Sequence, residues 1–266
     1  MPPPTVAVKT HRSWTLRHRE DYKFAYAGKI GAPPLVLVHG LFGALSNWDS
    51  FLGPLTEEYS IYVPLLPIYE NSSVEPSLSG LTEYLWRFYT GEQLPPAVWI
   101  GNSLGGHLAL LVAHQYPSAV KALVLTGSSG LFEDSMGSSF PRRSSREYVA
   151  ERVRYTFYDP RHATPELIDE VFAIVNDSYK ALRILKVARD AQRHFIGPLL
   201  PQITAPTCLI WGLNDTITPI PTAYGFYHLM PNAELHFIDE CGHAPMMEHP
   251  DHFQELLGQF LQRLPV

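Results

Sequence analysis

The chain has 266 residues, of which 45% are hydrophobic and 17% are charged, a composition that fits a folded globular protein and excludes a disordered chain. With 20 basic and 26 acidic residues the formal net charge is -6, and no basic stripe is present, so we expect no nucleic-acid partner. No apolar run is long enough to cross a bilayer and residues 1–10 lack a signal-peptide pattern, so we predict a cytoplasmic protein without membrane insertion.

Short runs of β-branched and aromatic residues alternate with stretches of helical spacing along most of the chain. This alternation predicts a mostly parallel sheet with helices on both faces. The predicted strands are an opening hairpin of 14–17 and 22–27, followed by 35–38, 61–64, 98–100, 122–125, 207–211 and 234–238. The predicted helices are 78–89, 105–115, 222–229 and 251–264.

The alternation breaks between residues 130 and 201, where no strand pattern is present and the spacing is helical. Ser144 and Glu147 resemble a capping box, and Thr164-Pro165-Glu166 resembles a helix start with proline in the first turn. Because strand patterns resume afterwards, an inserted helical unit explains the region better than a second domain does. We therefore predict a core of 1–130 and 202–266 and an inserted cap of 131–201.

The strongest local motif is Gly101-Asn102-Ser103-Leu104-Gly105-Gly106, between a predicted buried strand and a predicted helix. A G-x-S-x-G turn in this context is a nucleophile elbow, in which glycines two before and two after the serine avoid a side-chain collision. The alternative is a glycine-rich turn that only packs a helix on a strand. We take Ser103 as the candidate nucleophile.

A serine hydroxyl is a weak nucleophile unless a base and an orienting acid support it. Asp215 follows the predicted strand 207–211, and His243 follows the predicted strand 234–238. The order Ser103, Asp215, His243 is typical of α/β-hydrolases and differs from other serine-hydrolase folds. Asp134, after the sixth strand, is the rival acid, and the other histidines fit structural or surface positions better.

The segment His39-Gly40-Leu41-Phe42-Gly43 follows the predicted strand 35–38. A tetrahedral intermediate needs one backbone donor from the residue after the nucleophile and one from this loop. We expect the N–H groups of Leu104 and Leu41 to form this oxyanion hole, with Phe42 as a weaker candidate.

Together with Gly212-Leu213-Asn214-Asp215 and Gly242-His243-Ala244-Pro245, these motifs resemble those of the α/β-hydrolase superfamily over nearly the whole chain. The resemblance implies an eight-stranded sheet, a helical cap after strand six, no metal and no organic cofactor. One departure is the segment 65–72, which stands where many relatives carry an Asp-Leu-Pro-Gly type of run.

Within this superfamily, the serine at the elbow position favours acyl transfer to water, and we rank a small carboxylic ester first as substrate. The main alternative is a carbon-carbon bond hydrolase of the meta-cleavage product type, which resembles this chain in its elbow and its Cys241-Gly242-His243 turn. A ligand receptor without turnover is an alternative of another class. We expect the cap arginines, Arg142, Arg143, Arg146, Arg152 and Arg154, to form a solvated face, although a role in binding a substrate carboxylate stays open.

Overall fold

The computed structural model describes residues 14–43, 45–50, 52–70, 72–133 and 142–265. Its centre is one eight-stranded sheet in the order β1-β2-β4-β3-β5-β6-β7-β8, in which the pairs β1-β2 and β2-β4 are antiparallel and the other five pairs are parallel. The strands are β1 Thr15–His18, β2 Lys23–Gly28, β3 Pro34–Val38, β4 Ser60–Pro64, β5 Ala97–Asn102, β6 Val120–Thr126, β7 Thr207–Gly212 and β8 Ala233–Ile238. The predicted fold class and all the predicted strands are confirmed, with ends that differ by one or two residues.

The α-helices are α1 Leu55–Glu58, α2 Leu78–Gly91, α3 Leu104–Gln115, α4 Arg146–Arg154, α5 Pro165–Asn176, α6 Ser178–Arg193, α7 Ile220–Leu229, α8 Pro245–Glu248 and α9 Pro250–Arg263. The predicted helices correspond to α2, α3, α7 and α9. The sequence pattern missed α1 and α8, because four residues are too few to show helical periodicity. Among the described helices, none combines the length and the apolar character that crossing a membrane requires.

Side chains of β3 alternate between the two faces of the sheet, as the geometry of a strand requires. Val36 and Val38 pack in one hydrophobic cluster with residues of α2 and α3. Leu35 and Leu37 pack in the other cluster, with residues of α9. Because both faces are buried, β3 is a continuous apolar run, and the carboxyl ends of β3, β5, β6, β7 and β8 lie along one edge of the sheet.

Helices α4, α5 and α6 lie between β6 and β7, where the helical insertion was predicted. Thr164 caps α5 as expected, because its hydroxyl accepts a hydrogen bond from Leu167 N. The prediction for α4 was wrong by one residue: Ser145, not Ser144, is the N-cap, and it accepts from Tyr148 N. The boundaries of the predicted cap stay a prediction.

Two charged side chains of α6 fasten this helix to the segment that follows β4. Arg183 is buried, and its Nη2 donates hydrogen bonds to the carbonyl oxygens of Pro67 at 2.8 Å and Val74 at 3.0 Å. Asp190 accepts a hydrogen bond of 2.7 Å from Leu78 N at the start of α2. The inserted helices are therefore held against residues 67–78, beside the carboxyl edge of the sheet.

Candidate active site

Ser103 is the single residue between the end of β5 and the start of α3, and its backbone has φ 56° and ψ -120°. A positive φ is costly for a residue that has a side chain, and such strain is kept where the surroundings enforce it. The Ser103 N–H donates to Thr126 O at 3.0 Å, and the Asn102 side chain donates to the same oxygen at 3.1 Å. Strand β6 therefore holds the turn in its strained form.

The glycines around Ser103 let strand and helix approach closely. A Cβ added to Gly101 would lie 2.6 Å from the backbone carbon of Gly105, well inside van der Waals contact. A Cβ on Gly105 would overlap the carbonyl of Val38 in the neighbouring strand. The steric role that the sequence motif predicted for these two glycines is present in the structure.

Asp215 and His243 are both buried and are joined by a hydrogen bond of 2.9 Å between Asp215 Oδ2 and His243 Nδ1. Thr218 Oγ1 donates to the same carboxylate oxygen at 2.7 Å. The backbone N–H groups of Ile217 and Thr218 donate to Asp215 Oδ1 at 2.8 and 2.9 Å. With one oxygen held by the backbone and the other shared by Thr218 and His243, the carboxylate has a fixed orientation.

The environment of His243 acts on its basicity in opposite directions. Burial lowers the pKa of His243, whereas the charge and hydrogen bond of Asp215 and the charges of Glu133 and Glu248 raise it. The net pKa lies above the ordinary value for histidine. An imidazole with a raised pKa beside a carboxylate is suited to accept a proton and then to carry the positive charge.

The loop that carries His243 is held from two sides. The Glu248 carboxylate on α8 accepts hydrogen bonds from Gly242 N at 2.7 Å and from Tyr158 N at 2.8 Å. The backbone N–H of His243 donates to Thr156 O at 2.9 Å, and Asn102 Nδ2 donates to His243 O at 3.1 Å. The histidine backbone is thus bonded both to the segment after α4 and to the residue before Ser103.

The loop after β3 is also fixed by side chains. His39 is buried, which lowers its pKa, and its Nδ1 donates to Gly40 O at 2.8 Å while its Nε2 accepts from Leu66 N at 3.3 Å. These two bonds require one neutral tautomer. The hydroxyl of Tyr69 donates to the carbonyl oxygen of Leu41. The backbone of the predicted oxyanion loop is therefore bonded to residues of the unusual segment 65–72.

A cavity of about 180 Å³ lies over Ser103 and His243, and Leu41 and Leu104 belong to its wall. The inserted helices and the turn after α4 contribute a mainly apolar surface to it, formed by Val153, Phe157, Leu167, Val171, Ala188 and Ala191. The wall of this cavity also contains two charged side chains, those of Glu133 and Arg152. Burial raises the pKa of Glu133, although a hydrogen bond from Gly130 N and the charge of His243 oppose this.

The structure therefore brings all five sequence-predicted site residues to one place: four line the cavity, and Asp215 lies directly behind His243. The rival acid Asp134 lies outside the described residues. Of the five cap arginines, Arg152 lines the cavity, and Arg146 pairs instead with Asp169 at 2.6 Å.

Four further residues support this site and were not predicted from the sequence: Tyr69, Glu133, Thr218 and Glu248. No motif marks them, because each acts through contacts that only the folded chain creates. The one local signal near Thr218 is Asp215 itself, since an aspartate side chain often bonds to the backbone two residues on, as Asp215 does to Ile217 N.

A separate group of potential metal ligands lies on β7 and β8. The ligand atoms of Cys208, Glu234 and His236 fall within 4.8 Å of one another. The Glu234 carboxylate is bonded to Arg263 Nη2 at 2.5 and 2.6 Å and to His236 Nε2 at 3.0 Å. Since Arg263 neutralises the carboxylate and burial raises the pKa of the Cys208 thiol, these groups form an ion-pair cluster rather than an anionic ligand set.

The model of the alpha/beta hydrolase family matches residues 35–253. The sheet order, the strained serine turn and the acid and histidine at successive strand ends agree with that match. The chain belongs to the alpha/beta hydrolase family, and it is an enzyme of the hydrolase class.

Individual proteins show which members of the family are similar to the chain. It is 35% identical to MGS-MChE2, an alpha/beta hydrolase enzyme from the metagenome of lagoon sediments at Mar Chica, Morocco, with a TM-score of 0.75 over 93% of this chain and 97% of that one. It is 32% identical to a Pseudomonas 2-hydroxy-6-oxononadienedioate/2-hydroxy-6-oxononatrienedioate hydrolase, over 62% of each chain. It is 26% identical to monoacylglycerol lipase ABHD6 of Mus musculus, over 92% of this chain and 81% of the relative.

Proposed function

We propose that the protein hydrolyses a small carboxylic ester through an acyl-enzyme, with Ser103 as nucleophile, His243 as base and Asp215 as the orienting acid. The observation that carries the proposal is the buried hydrogen bond of 2.9 Å between Asp215 and His243, at the wall of the same cavity as the strained Ser103. We also propose that residues 131–201 act as the cap over this cavity.

In the first step His243 takes the proton of the Ser103 hydroxyl while Oγ forms a bond to the ester carbonyl carbon. The carbonyl oxygen becomes an oxyanion, which the N–H groups of Leu41 and Leu104 stabilise. The carbon-oxygen bond to the alcohol then breaks, and His243 gives its proton to the leaving oxygen. Water repeats the sequence in the second step, and the products are the acid, the alcohol and the free serine.

Asp215 keeps the Nδ1 proton of His243 pointing at itself, so that the other ring nitrogen is the one that exchanges protons with Ser103. The same carboxylate stabilises the imidazolium that forms in each step. This role agrees with the raised pKa of His243, to which the Asp215 charge contributes.

The cavity favours an ester over a dianionic ring-fission product. Its wall is mostly apolar, and the Glu133 carboxylate in it would repel a second substrate carboxylate. The Pseudomonas relative, which is named for dioate substrates, supports carbon-carbon bond cleavage as the second candidate. Arg152 is the cavity residue that could bind one carboxylate of such a substrate.

The test compares the wild-type protein, Ser103→Ala and the control Ser178→Ala, which alters an exposed serine. We expect fluorophosphonate labelling and p-nitrophenyl acetate hydrolysis in the wild type and the control, and neither in Ser103→Ala. Labelling of Ser103→Ala at full stoichiometry would exclude Ser103 as the nucleophile. Faster turnover of a dienoate ring-fission product than of the ester would favour the second candidate, and a single acylation without further turnover would favour a receptor.

A further inference from the structure

A second cavity, of about 370 Å³, adjoins the one that contains Ser103. The two cavities share the wall residues Glu133, Ala191 and Gln192. Beyond this shared wall, the second cavity is lined by residues that include Phe132, His194 and Phe195. It therefore lies beside the cavity over Ser103, along the end of α6.

The size of the first cavity calls for additional space. Sites for small molecules usually measure roughly 300–1,000 Å³, whereas the cavity over Ser103 measures about 180 Å³. The adjoining cavity, at about 370 Å³, supplies the missing volume.

The position of the second cavity relative to His243 decides which part of the ester it faces. The chain after β6 passes directly against the histidine ring, because a Cβ on Gly127 would lie 2.8 Å from His243 Cε1. The same segment continues to Gly130 and Glu133, which line the second cavity. The Glu133 charge also acts on His243. Since the histidine must protonate the departing oxygen, the second cavity lies on the leaving-group side.

The walls of the second cavity indicate the chemistry of its occupant. Phe132 and Phe195 are 61% and 56% exposed, and their ring centres lie 6.5 Å apart at an interplanar angle of 56°. Two large exposed aromatic rings beside a cavity are typical of a binding surface for an apolar or aromatic group. The Glu133 carboxylate on the shared wall disfavours an anionic occupant.

We propose that this second cavity is the binding site for the alcohol part of the ester, and that it takes an uncharged aryl group against the paired rings of Phe132 and Phe195. The proposal rests on the proposed ester hydrolysis. It assigns the acyl group to the cavity over Ser103 and the aryl alcohol to the adjoining cavity. In each turnover the alcohol receives its proton from His243 and departs through the second cavity.

The experiment measures kcat/KM for methyl acetate, benzyl acetate and 2-naphthyl acetate, and for 2-naphthyl butyrate. The variants are Phe132→Ala and Phe195→Ala, with Leu182→Ala as control, because Leu182 is a 53% exposed apolar residue of α6 outside both cavities. We expect each phenylalanine variant to lower the naphthyl-to-methyl ratio about tenfold, since an apolar contact with the substrate is lost. The butyrate-to-acetate ratio and the control should stay at wild-type values.

An unchanged naphthyl-to-methyl ratio in both phenylalanine variants would overturn the assignment. A change in the butyrate-to-acetate ratio alone would overturn it as well, because the second cavity would then hold the acyl group. Turnover and binding are separated by titrating 2-naphthol into Ser103→Ala protein by calorimetry, with and without the phenylalanine substitutions. Weaker 2-naphthol binding when Phe132→Ala or Phe195→Ala is combined with Ser103→Ala supports the binding site, even if Ser103 labelling contradicts the proposed function. Equal 2-naphthol binding in all these proteins overturns the proposed site.

Discussion

The carboxylate of Glu248 accepts a hydrogen bond of 2.7 Å from the backbone N–H of Gly242, the residue that directly precedes His243. Its second oxygen accepts from Tyr158 N, so one buried side chain joins the histidine loop to the segment after α4. Burial raises the pKa of Glu248, whereas these backbone N–H donors favour its charged form, and the charge of Glu248 is one of the causes of the raised pKa of His243. Glu248 therefore affects both the position and the basicity of the proposed base.

We predict that Glu248→Gln lowers kcat and moves the acidic limb of the kcat/KM profile to lower pH. Removing the negative charge lowers the pKa of His243, so the imidazole stays neutral at more acidic pH. The measurement is the pH-rate profile of ester hydrolysis, with Glu255→Gln on the exposed face of α9 as control. If the acidic limb of Glu248→Gln lay at the same pH as in the wild type while kcat was reduced, Glu248 would have a purely structural role.

Tyr69→Phe removes the hydroxyl that holds the carbonyl of Leu41. We expect kcat to fall about tenfold with little change in KM, because the loop that supplies the oxyanion donor loses one fixed contact, worth about 1 kcal/mol or somewhat more. The comparison is Tyr158→Phe, whose ring is 48% exposed. Equal kcat values for Tyr69→Phe and wild type would show that the remaining bonds of His39 and Gly43 suffice.

Gly101→Ala and Gly258→Ala should change the stability of the protein in opposite directions. A Cβ at position 101 meets backbone atoms at 2.6 Å, so we expect a lower melting temperature and loss of activity. A Cβ at position 258, inside α9, meets nothing within 4 Å, and alanine there should raise the unfolding free energy by about 0.5–1 kcal/mol. Thermal denaturation of both variants tests the pair, and a stable, active Gly101→Ala protein would contradict the close packing at the serine turn.

His107 makes stability depend on pH. Burial, and then the neighbouring His194, lower the pKa of His107 to about 3. The folded state keeps this imidazole neutral, whereas the same histidine in the unfolded chain becomes protonated near pH 6.5. The contribution of His107 to the free energy of unfolding is therefore complete above pH 6.5 and is lost as the pH falls toward 3. Urea unfolding at pH 7 and pH 5 should show a steeper loss of unfolding free energy in wild type than in His107→Gln. An equal loss of unfolding free energy between pH 7 and pH 5 in both proteins would mean that His107 is already protonated in the folded protein at pH 5.

The parts of the site that could be predicted from sequence are those in which chemistry and chain position coincide. Ser103 is marked by its flanking glycines, Asp215 follows the buried apolar strand β7, and His243 follows the half-buried edge strand β8. Parallel strands end at one edge of a sheet, so the order of these residues already implied their proximity. Strand positions were predictable for the same reason, since fully buried strands are continuous apolar runs.

Residues that act across long stretches of chain could not be predicted in this way. Glu248 bonds to Tyr158, which is 90 positions away, and nothing in either neighbourhood indicates that contact. The Ser145 cap shows a different limit, because two adjacent serines offer the same chemistry and only the backbone geometry selects one. The second cavity could not be predicted from the sequence, because its wall combines the segment after β6 with the end of α6, which are far apart in the chain.

The attachment of α6 to the segment after β4 has an evolutionary consequence. Arg183 contacts Pro67 and Val74 through their carbonyl oxygens, and Asp190 contacts Leu78 through its N–H, so each bond recognises the main chain and not a side chain. Substitutions in residues 65–72 can therefore accumulate without loosening α6, which lines the cavity over Ser103, provided that the path of the chain is kept. Divergence of this segment from the Asp-Leu-Pro-Gly pattern is therefore compatible with the anchoring of α6, whereas the side chain of Tyr69 is constrained separately by its bond to Leu41.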